Sequence, residues 1–385
     1  MGVKLGAGVY VLALLLLSGC DTLNYYNQAI WGQIGLLSAR EDLDRVLEDP
    51  ATSAELRERL IVAQDILKFA QSDLDMAVDK RYASYVELGR PYVVWNVVAA
   101  SEYAVTAKEW CFLVVGCVPY RGYFAENDAQ RAAVLLERAG LETYVGGVPA
   151  YSTLGWFDDP LLSSFIHLPD LSLVNLLLHE LAHSKVWVDA DVRFNENFAS
   201  FVGEAGARMW ADRAGRASGY RQWRANRQAW VRFKQFVLSA KSYLADGYAE
   251  LDRDASRAVF KTEAMLAFTQ CYTERRDDLG GGRFDDLVHN KLNNAYLASL
   301  GTYEDLQPAF SALFDRVERK WPDFFSAVDE LAELAPSRRE ERLVELNDSV
   351  KLGKKQVGEG ANNGDAGEIH CGPFAHHSGD RDTAG

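Results

Sequence analysis

Two rhythms divide the chain. Between residues 26 and 77 apolar positions recur at helical spacing, and Asp49-Pro50 interrupts them. This predicts one helix over 26–47 and a second over 53–77, with Ser53 as cap and Glu55 in the first turn. An antiparallel hairpin over 26–80 is the simplest arrangement of such a pair. From Pro91 the pattern changes. Residues 92–98 and 103–115 are dense in Val, Trp, Tyr and Phe, which favours strands. A short helix is expected over 127–139, and strand, turn and strand over 143–155, so that 91–155 forms a β-rich part. Helical spacing returns at Pro169-Asp170, with Asp170 as cap, and Leu171, Val174, Leu178 and Leu181 form an apolar stripe on a helix ending near Trp187. Beyond the Asp189-Ala190-Asp191 loop, Asn195 is placed to cap another helix. Long helices are expected at about 218–247, 249–278, 302–318 and 320–346, with Trp223, Trp230, Phe233 and Phe236 buried on the first. The predicted class is α+β and mainly helical, with a small sheet preceding a helical part over 169–346.

Composition sets limits on partners. The chain has 385 residues, 48% hydrophobic and 25% charged, as a folded globular protein does. Its net charge of −14, with no basic stripe, argues against nucleic acid, because phosphate backbones require clustered Lys and Arg. Residues 349–385 are rich in Gly, Asn, Asp and Ser, and a disordered tail is expected there, after a folded part over 26–348.

The amino terminus carries an address. Lys4 precedes an apolar run from Ala7 to Leu17 that is short for a membrane span, so residues 1–19 read as a secretory leader. The run ends Leu17-Ser18-Gly19-Cys20, which resembles the lipobox of bacterial lipoproteins. That resemblance implies cleavage before Cys20, acyl chains on that cysteine, a tether over 20–25, and the lipid bilayer as a partner. A lipid-anchored, periplasm-facing place in the bacterial envelope follows from that resemblance, and Asp21, a residue associated with retention at the inner membrane, favours that membrane. An oxidising compartment permits disulfides. Cys111 and Cys117 flank Phe-Leu-Val-Val-Gly and could close a tight loop, whereas the sequence assigns no partners to Cys271 and Cys371.

The chemistry concentrates in His179-Glu180-Leu181-Ala182-His183. Residues four apart share a helix face, so His179 and His183 form a two-nitrogen clamp with Glu180 beside it. This is the arrangement of ligands and general base in a zinc hydrolase, and it implies one zinc ion as cofactor. Glu196 lies 12 residues beyond His183, enough to finish one helix, turn, and start an antiparallel one. Glu196, Ala199, Ser200 and Gly203 share a face whose small residues allow close approach, which makes Glu196 the expected third ligand and Glu204 its rival. Asn175, Asp189 and Asp191 could orient a histidine. Tyr151, His289, Tyr296 and Tyr303 are candidates to donate a hydrogen bond to a developing oxyanion.

Several stretches together resemble the bacterial family labelled predicted or putative aminopeptidase. They are Cys117-Val-Pro-Tyr-Arg-Gly-Tyr-Phe124, Ala150-Tyr-Ser-Thr-Leu-Gly-Trp-Phe-Asp-Asp-Pro160, the His179–His183 motif, Phe194-Asn-Glu196 with Phe198-Ala199, and Leu292-Asn-Asn-Ala295. The Asn-Glu-x-x-Ala pattern is also similar to the Glu-zincin metallopeptidases. The resemblance implies a zincin-like core, a peptide or protein substrate, and a sheet-edge strand near 143–155 that receives it. There is no G-x-M-E-N motif for gripping a free amino terminus, so amino- and endopeptidase action both stay open. The rival reading is a non-catalytic envelope lipoprotein that uses the same fold as a binding scaffold.

Overall fold

Helix α1 (24–38) does not continue to residue 47, because Glu41–Asp42 is drawn out as a strand, β1, that pairs antiparallel with β2 (Ser84–Val86). The computed structural model describes residues 24–112, 116–150, 158–213, 215–300, 306–356 and 371–374, and its class is α+β, predominantly helical. The expected hairpin over 26–80 is therefore interrupted. Asp42 caps a short α2 (Leu43–Glu48), accepting from the Arg45 amide at 3.1 Å, and α3 (Ala54–Leu74) starts where expected, with Ser53 Oγ accepting from the Leu56 amide at 3.1 Å. Instead of lying along α3, helix α1 leans on the sheet described next: Gln28 Nε2 donates to the Gly122 carbonyl at 3.1 Å and its Oε1 accepts from the Phe124 amide.

The main sheet has the order β6-β3-β7, all antiparallel, with β3 spanning Val94–Ser101, β6 Arg121–Tyr123 and β7 Leu141–Val148. Helix α4 (Glu126–Arg138) covers one face over Trp95, Val97 and Tyr123. Between β3 and β6 a hairpin of β4 (Trp110–Phe112) and β5 (Gly116–Val118) is closed by a Cys111–Cys117 disulfide. Of the strand, turn and strand expected over 143–155, β7 forms the first strand and runs straight through Gly146-Gly147, while 151–155 lie outside the described residues. The glycines answer a different need: a Cβ on Gly147 would stand 2.2 Å from the Tyr92 ring, which lies across the strand.

Strand β8 (Leu161–Leu162) pairs parallel with β2 and leads through α5 (Ser163–Ile166) into α6 (Asp170–Lys185) and α7 (Val192–Arg213). Next come α8 (Ala217–Glu250), α9 (Asp254–Glu274), a π-helical turn at Leu287–Lys291, α10 (Asn294–Ser299) and α11 (Gln307–Arg316). The single helix expected over 320–346 is two, α12 (Trp321–Ala332) and α13 (Pro336–Gln356). Pro336 opens the second, where its missing N–H costs nothing.

Besides the cluster under α4, two larger apolar clusters hold the described residues together. One joins α2, α3, α6, α7, α11 and α12, and the other joins α8, α9 and α10. The tail contributes to the second. Helix α13 continues to Gln356, Cys371 is bonded to Cys271, and Phe374 is buried against Phe236 and Phe268, so the disorder expected over 349–385 does not hold at 349–356 or at 371–374.

Candidate metal centre

Helices α6 and α7 run antiparallel and nearly touch. A Cβ on Gly203 would lie 2.7 Å from the Asn175 carbonyl oxygen, so only glycine allows this approach. Asp170 proves not to cap α6. It is ion-paired instead with Arg59 at 2.6 Å and with Arg216. Helix α7 starts three residues before the expected cap at Asn195. Asp191 Oδ1 accepts from the Phe194 amide at 3.0 Å, and Asp191 Oδ2 holds Arg339 at 2.9 Å, so this carboxylate is committed away from the histidines. Asn195 is fully buried and its amide holds Val188 across the turn. These contacts fix where α7 begins, and so place Glu196 opposite the histidine face of α6.

The two imidazoles and the carboxylate converge. His179 Nε2 and His183 Nε2 are 3.1 Å apart, with their rings at 88°. Glu196 Oε2 is 3.4 Å from the first and Oε1 is 3.5 Å from the second. Ligand atoms at about 2.0–2.1 Å from a zinc ion stand roughly 3.3 Å apart at the corners of a tetrahedron, a spacing close to that of the two imidazole nitrogens, while the carboxylate turns one oxygen towards each ring. Among the described residues this is the one group of three such side chains whose ligand atoms lie within 4.8 Å of each other. His183 is buried, and its Nδ1 has no hydrogen-bond partner among the described residues. Asn175 Oδ1 is likewise buried and unpartnered, packed on Gly203, so it does not orient His183. The Glu196 side chain is half exposed and leaves the cluster open on that side.

Burial and neighbouring charge set the protonation. Burial, helped by His179 and opposed by Glu196, lowers His183 to about 4, so its ring is a neutral donor of lone pairs at physiological pH. Burial alone would raise the Glu196 carboxyl, but a hydrogen bond from His179 and the charges of His183, His179 and Lys234 outweigh it and hold the group ionised. Burial raises Glu180 to about 7. His179 pulls against that rise, while Glu196 and Asp159 add to it.

Glu180 lines a small pocket together with Tyr82, Ala150, Asp159 and Leu177. Tyr82 is buried at a left-handed φ of 61°, its amide donates to the Asp159 carbonyl at 2.7 Å, and burial, then the charges of Glu180 and Asp159, drive its hydroxyl far above the usual range. Tyr120 is raised by burial and then by the charge of Glu196, which it is near enough to feel. Sequence reasoning singled out none of Tyr82, Tyr120 and Asp159 for this place. Their one signal was that Tyr120 and Asp159 fall inside stretches that carry the family resemblance.

The other expected residues lie elsewhere. Glu204 is held by Arg227 at 3.3 Å. His289 is exposed on the π-helical turn with its ring against Tyr272, and Tyr296 is buried with its ring against Tyr144, so neither faces the cluster. Tyr151, Tyr303 and Cys20 fall outside the described residues. Cys371, bonded to Cys271, is not available to a metal. The Leu292–Ala295 stretch is structural: Asn293 caps α10 and donates to the Thr143 carbonyl, while the buried Asn294 donates to the Glu102 carbonyl at 2.7 Å. No helix among the described residues is long and apolar enough to cross a membrane. A family model described as putative aminopeptidase matches residues 24–343. No curated protein and no solved structure matches the chain.

Proposed function

The chain belongs to the putative aminopeptidase family, and from that premise we propose that it is a zinc-dependent peptidase with a zincin-like core, tethered through acylated Cys20 to the periplasmic face of the envelope. The observation that carries this reading is the spacing of 3.1, 3.4 and 3.5 Å among the Nε2 atoms of His179 and His183 and the carboxylate oxygens of Glu196. These three side chains would hold the ion. Zinc there would supply Lewis acidity towards the scissile carbonyl and make a water acidic enough to react near neutral pH.

The chain's own residues do the rest. Glu180 takes the proton from the attacking water and hands it to the leaving amine. A carboxyl poised at about 7 by burial is suited to both transfers. Strand β7 is at an edge of its sheet, and Ala150, two residues past its end, shares the pocket of Glu180. An extended peptide added to that edge would arrive at the base. Tyr120, whose hydroxyl feels the charge of Glu196, is the candidate donor to the carbonyl oxygen as it gains charge.

The test is metal analysis of the purified protein together with cleavage of a peptide library bearing free and blocked amino termini. One zinc per chain and cleavage that chelation abolishes and zinc restores are expected. Protein without zinc, or cleavage indifferent to a chelator, would overturn the reading. The blocked termini decide between amino- and endopeptidase action.

A further inference from the structure

Away from the metal centre, α1, the β6-β3 face and α4 enclose a cleft of about 650 Å³, lined by Asn24, Tyr25, Trp110, Arg121, Arg131 and Leu135 among others. Its charge is unbalanced. Arg131 is paired with Asp128, but the Arg121 guanidinium has no acidic partner and donates no hydrogen bond among the described residues, and its Nε is buried and unsatisfied. The contacts it does make are with aromatic rings: it sits 5.0 Å from the Tyr25 centroid and 5.8 Å from that of Trp110. Ring faces attract a cation but do not accept its N–H bonds in full. A half-buried guanidinium left in this state favours an anion with acceptor oxygens.

We propose that this cleft binds the phosphodiester headgroup of an anionic phospholipid, with Arg121 as the counter-charge. The planar fork of arginine matches phosphate oxygens in a way that an ammonium does not. The place in the chain argues for a lipid as the source. Asn24 and Tyr25 line the cleft, and Asn24 is four residues past Cys20, a reach of at most about 14 Å when extended. At the rim, Leu135 is 59% exposed and Val134 42%, with Arg131 and Arg138 beside them, an apolar and basic margin on a chain whose net charge is −14. Such a margin suits a headgroup interface, where aromatic and long cationic side chains collect. The lipid source rests on the tether proposed at Cys20, whereas the anion site stands without it.

Isothermal titration tests this on the mature chain, residues 20–385, carrying Cys20→Ser so that no acyl chain competes, and stripped of metal so that the ion site cannot take up phosphate. The probes are monomeric dihexanoyl-phosphatidylglycerol and inorganic phosphate. Saturable one-to-one binding of the lipid is expected, weakened at least tenfold by Arg121→Gln and less by Arg121→Lys, with phosphate binding more weakly than the lipid. Phosphate that binds as tightly as the lipid, with the same dependence on Arg121, would overturn the lipid assignment. No saturable binding, or equal binding by the wild type and Arg121→Gln, would overturn the site itself. Arg121→Gln gives up two ring contacts but no hydrogen bond, so its melting temperature should stay within a few degrees of the wild type, and a cooperative thermal transition separates lost binding from lost structure.

Discussion

The side-chain amide of Asn195 grips both backbone groups of Val188: Nδ2 donates to the carbonyl at 2.8 Å and Oδ1 accepts from the amide at 2.9 Å. The two bonds close the turn between α6 and α7 one residue before Glu196, so they fix how the carboxylate faces the imidazoles. Asn195→Ala strands two backbone groups and should lower stability by about 2–4 kcal/mol. Zinc affinity should fall by roughly 10- to 100-fold, the usual cost of losing an outer support. Thermal unfolding and competition with a chromophoric chelator measure the two effects. Folded Asn195→Ala protein with wild-type affinity would remove this residue from the account of the site.

Glu196 and Glu204 should separate cleanly. Glu196 stands 3.4 and 3.5 Å from the histidine nitrogens, while Glu204 is occupied by Arg227. Glu196→Ala should cost more zinc affinity than the loss of any outer hydrogen bond, leaving dialysed protein below one zinc per chain. Glu204→Gln breaks a partly exposed ion pair and should change stability by under about 1 kcal/mol, with stoichiometry intact. Metal analysis of the two dialysed variants decides, and the reverse order would mean the wrong carboxylate has been assigned.

Why was so much of this legible in the sequence, and the rest hidden? The placing of His179 against His183 is a local matter, fixed by four residues of helix, and the small residues at Ala199, Ser200 and Gly203 announced close packing beside Glu196. Ser53 as a cap was visible for the same reason. What was hidden depends on distant partners. Nothing local says that Glu41–Asp42 will pair with Ser84–Tyr85 and end a helix, or that Tyr92 will lie across Gly147 in the middle of a strand. Asn195 looked like a cap because caps and turn clamps use the same amide. Tyr82, Tyr120 and Asp159 reach the site from three separate loops, and a tyrosine at φ 61° has no signature in sequence.

Gly203→Ala should act through helix separation. The new methyl would meet the Asn175 carbonyl at 2.7 Å and Oδ1 at 2.9 Å, and a backbone oxygen in a packed helix cannot swing aside. Overpacking of this kind costs about 1–3 kcal/mol, and it should weaken zinc binding because the ligands come from the two helices being pushed apart. Gly219→Ala is the matched control. It lies in α8 with nothing within 4 Å and should raise stability by a few tenths to about 1 kcal/mol. Equal melting temperatures for the two variants would count against the close contact of α6 and α7.

The two disulfides should differ in worth. Cys271–Cys371 closes a loop across a separation of 100 residues and holds Phe374 in the second cluster, whereas Cys111–Cys117 spans six. Chain-entropy arguments put the longer loop at up to about 5 kcal/mol and the shorter at about 2. Serine replacement of Cys271 and Cys371 together should therefore lower the melting temperature more than replacement of Cys111 and Cys117. The opposite ranking would show that the tail contributes little to the helical core.

Glu180 makes the sharpest prediction, because its proposed function and its stability pull in opposite directions. Burial raises its pKa from 4.5 to about 7, so folding favours the protonated form. Its contribution to stability is then complete below pH 4.5 and is lost as pH rises through 7. Glutamine has no charge to desolvate. In metal-free protein, Glu180→Gln should match the wild type at pH 4 and exceed it at pH 8 by about 1–3 kcal/mol, a rise of a few degrees in melting temperature. His183 has the opposite sign: lowered from 6.5 to about 4, it contributes stability above pH 6.5 that is lost as pH falls through 4. That loss is common to both proteins and cancels when they are compared at one pH. With zinc restored, Glu180→Gln should bind the ion fully and cleave nothing, since it keeps every ligand and loses the proton acceptor. A variant that melts no higher than the wild type at pH 8 would mean that Glu180 is not desolvated. A variant that still cleaves peptides at the normal rate would remove it as the base.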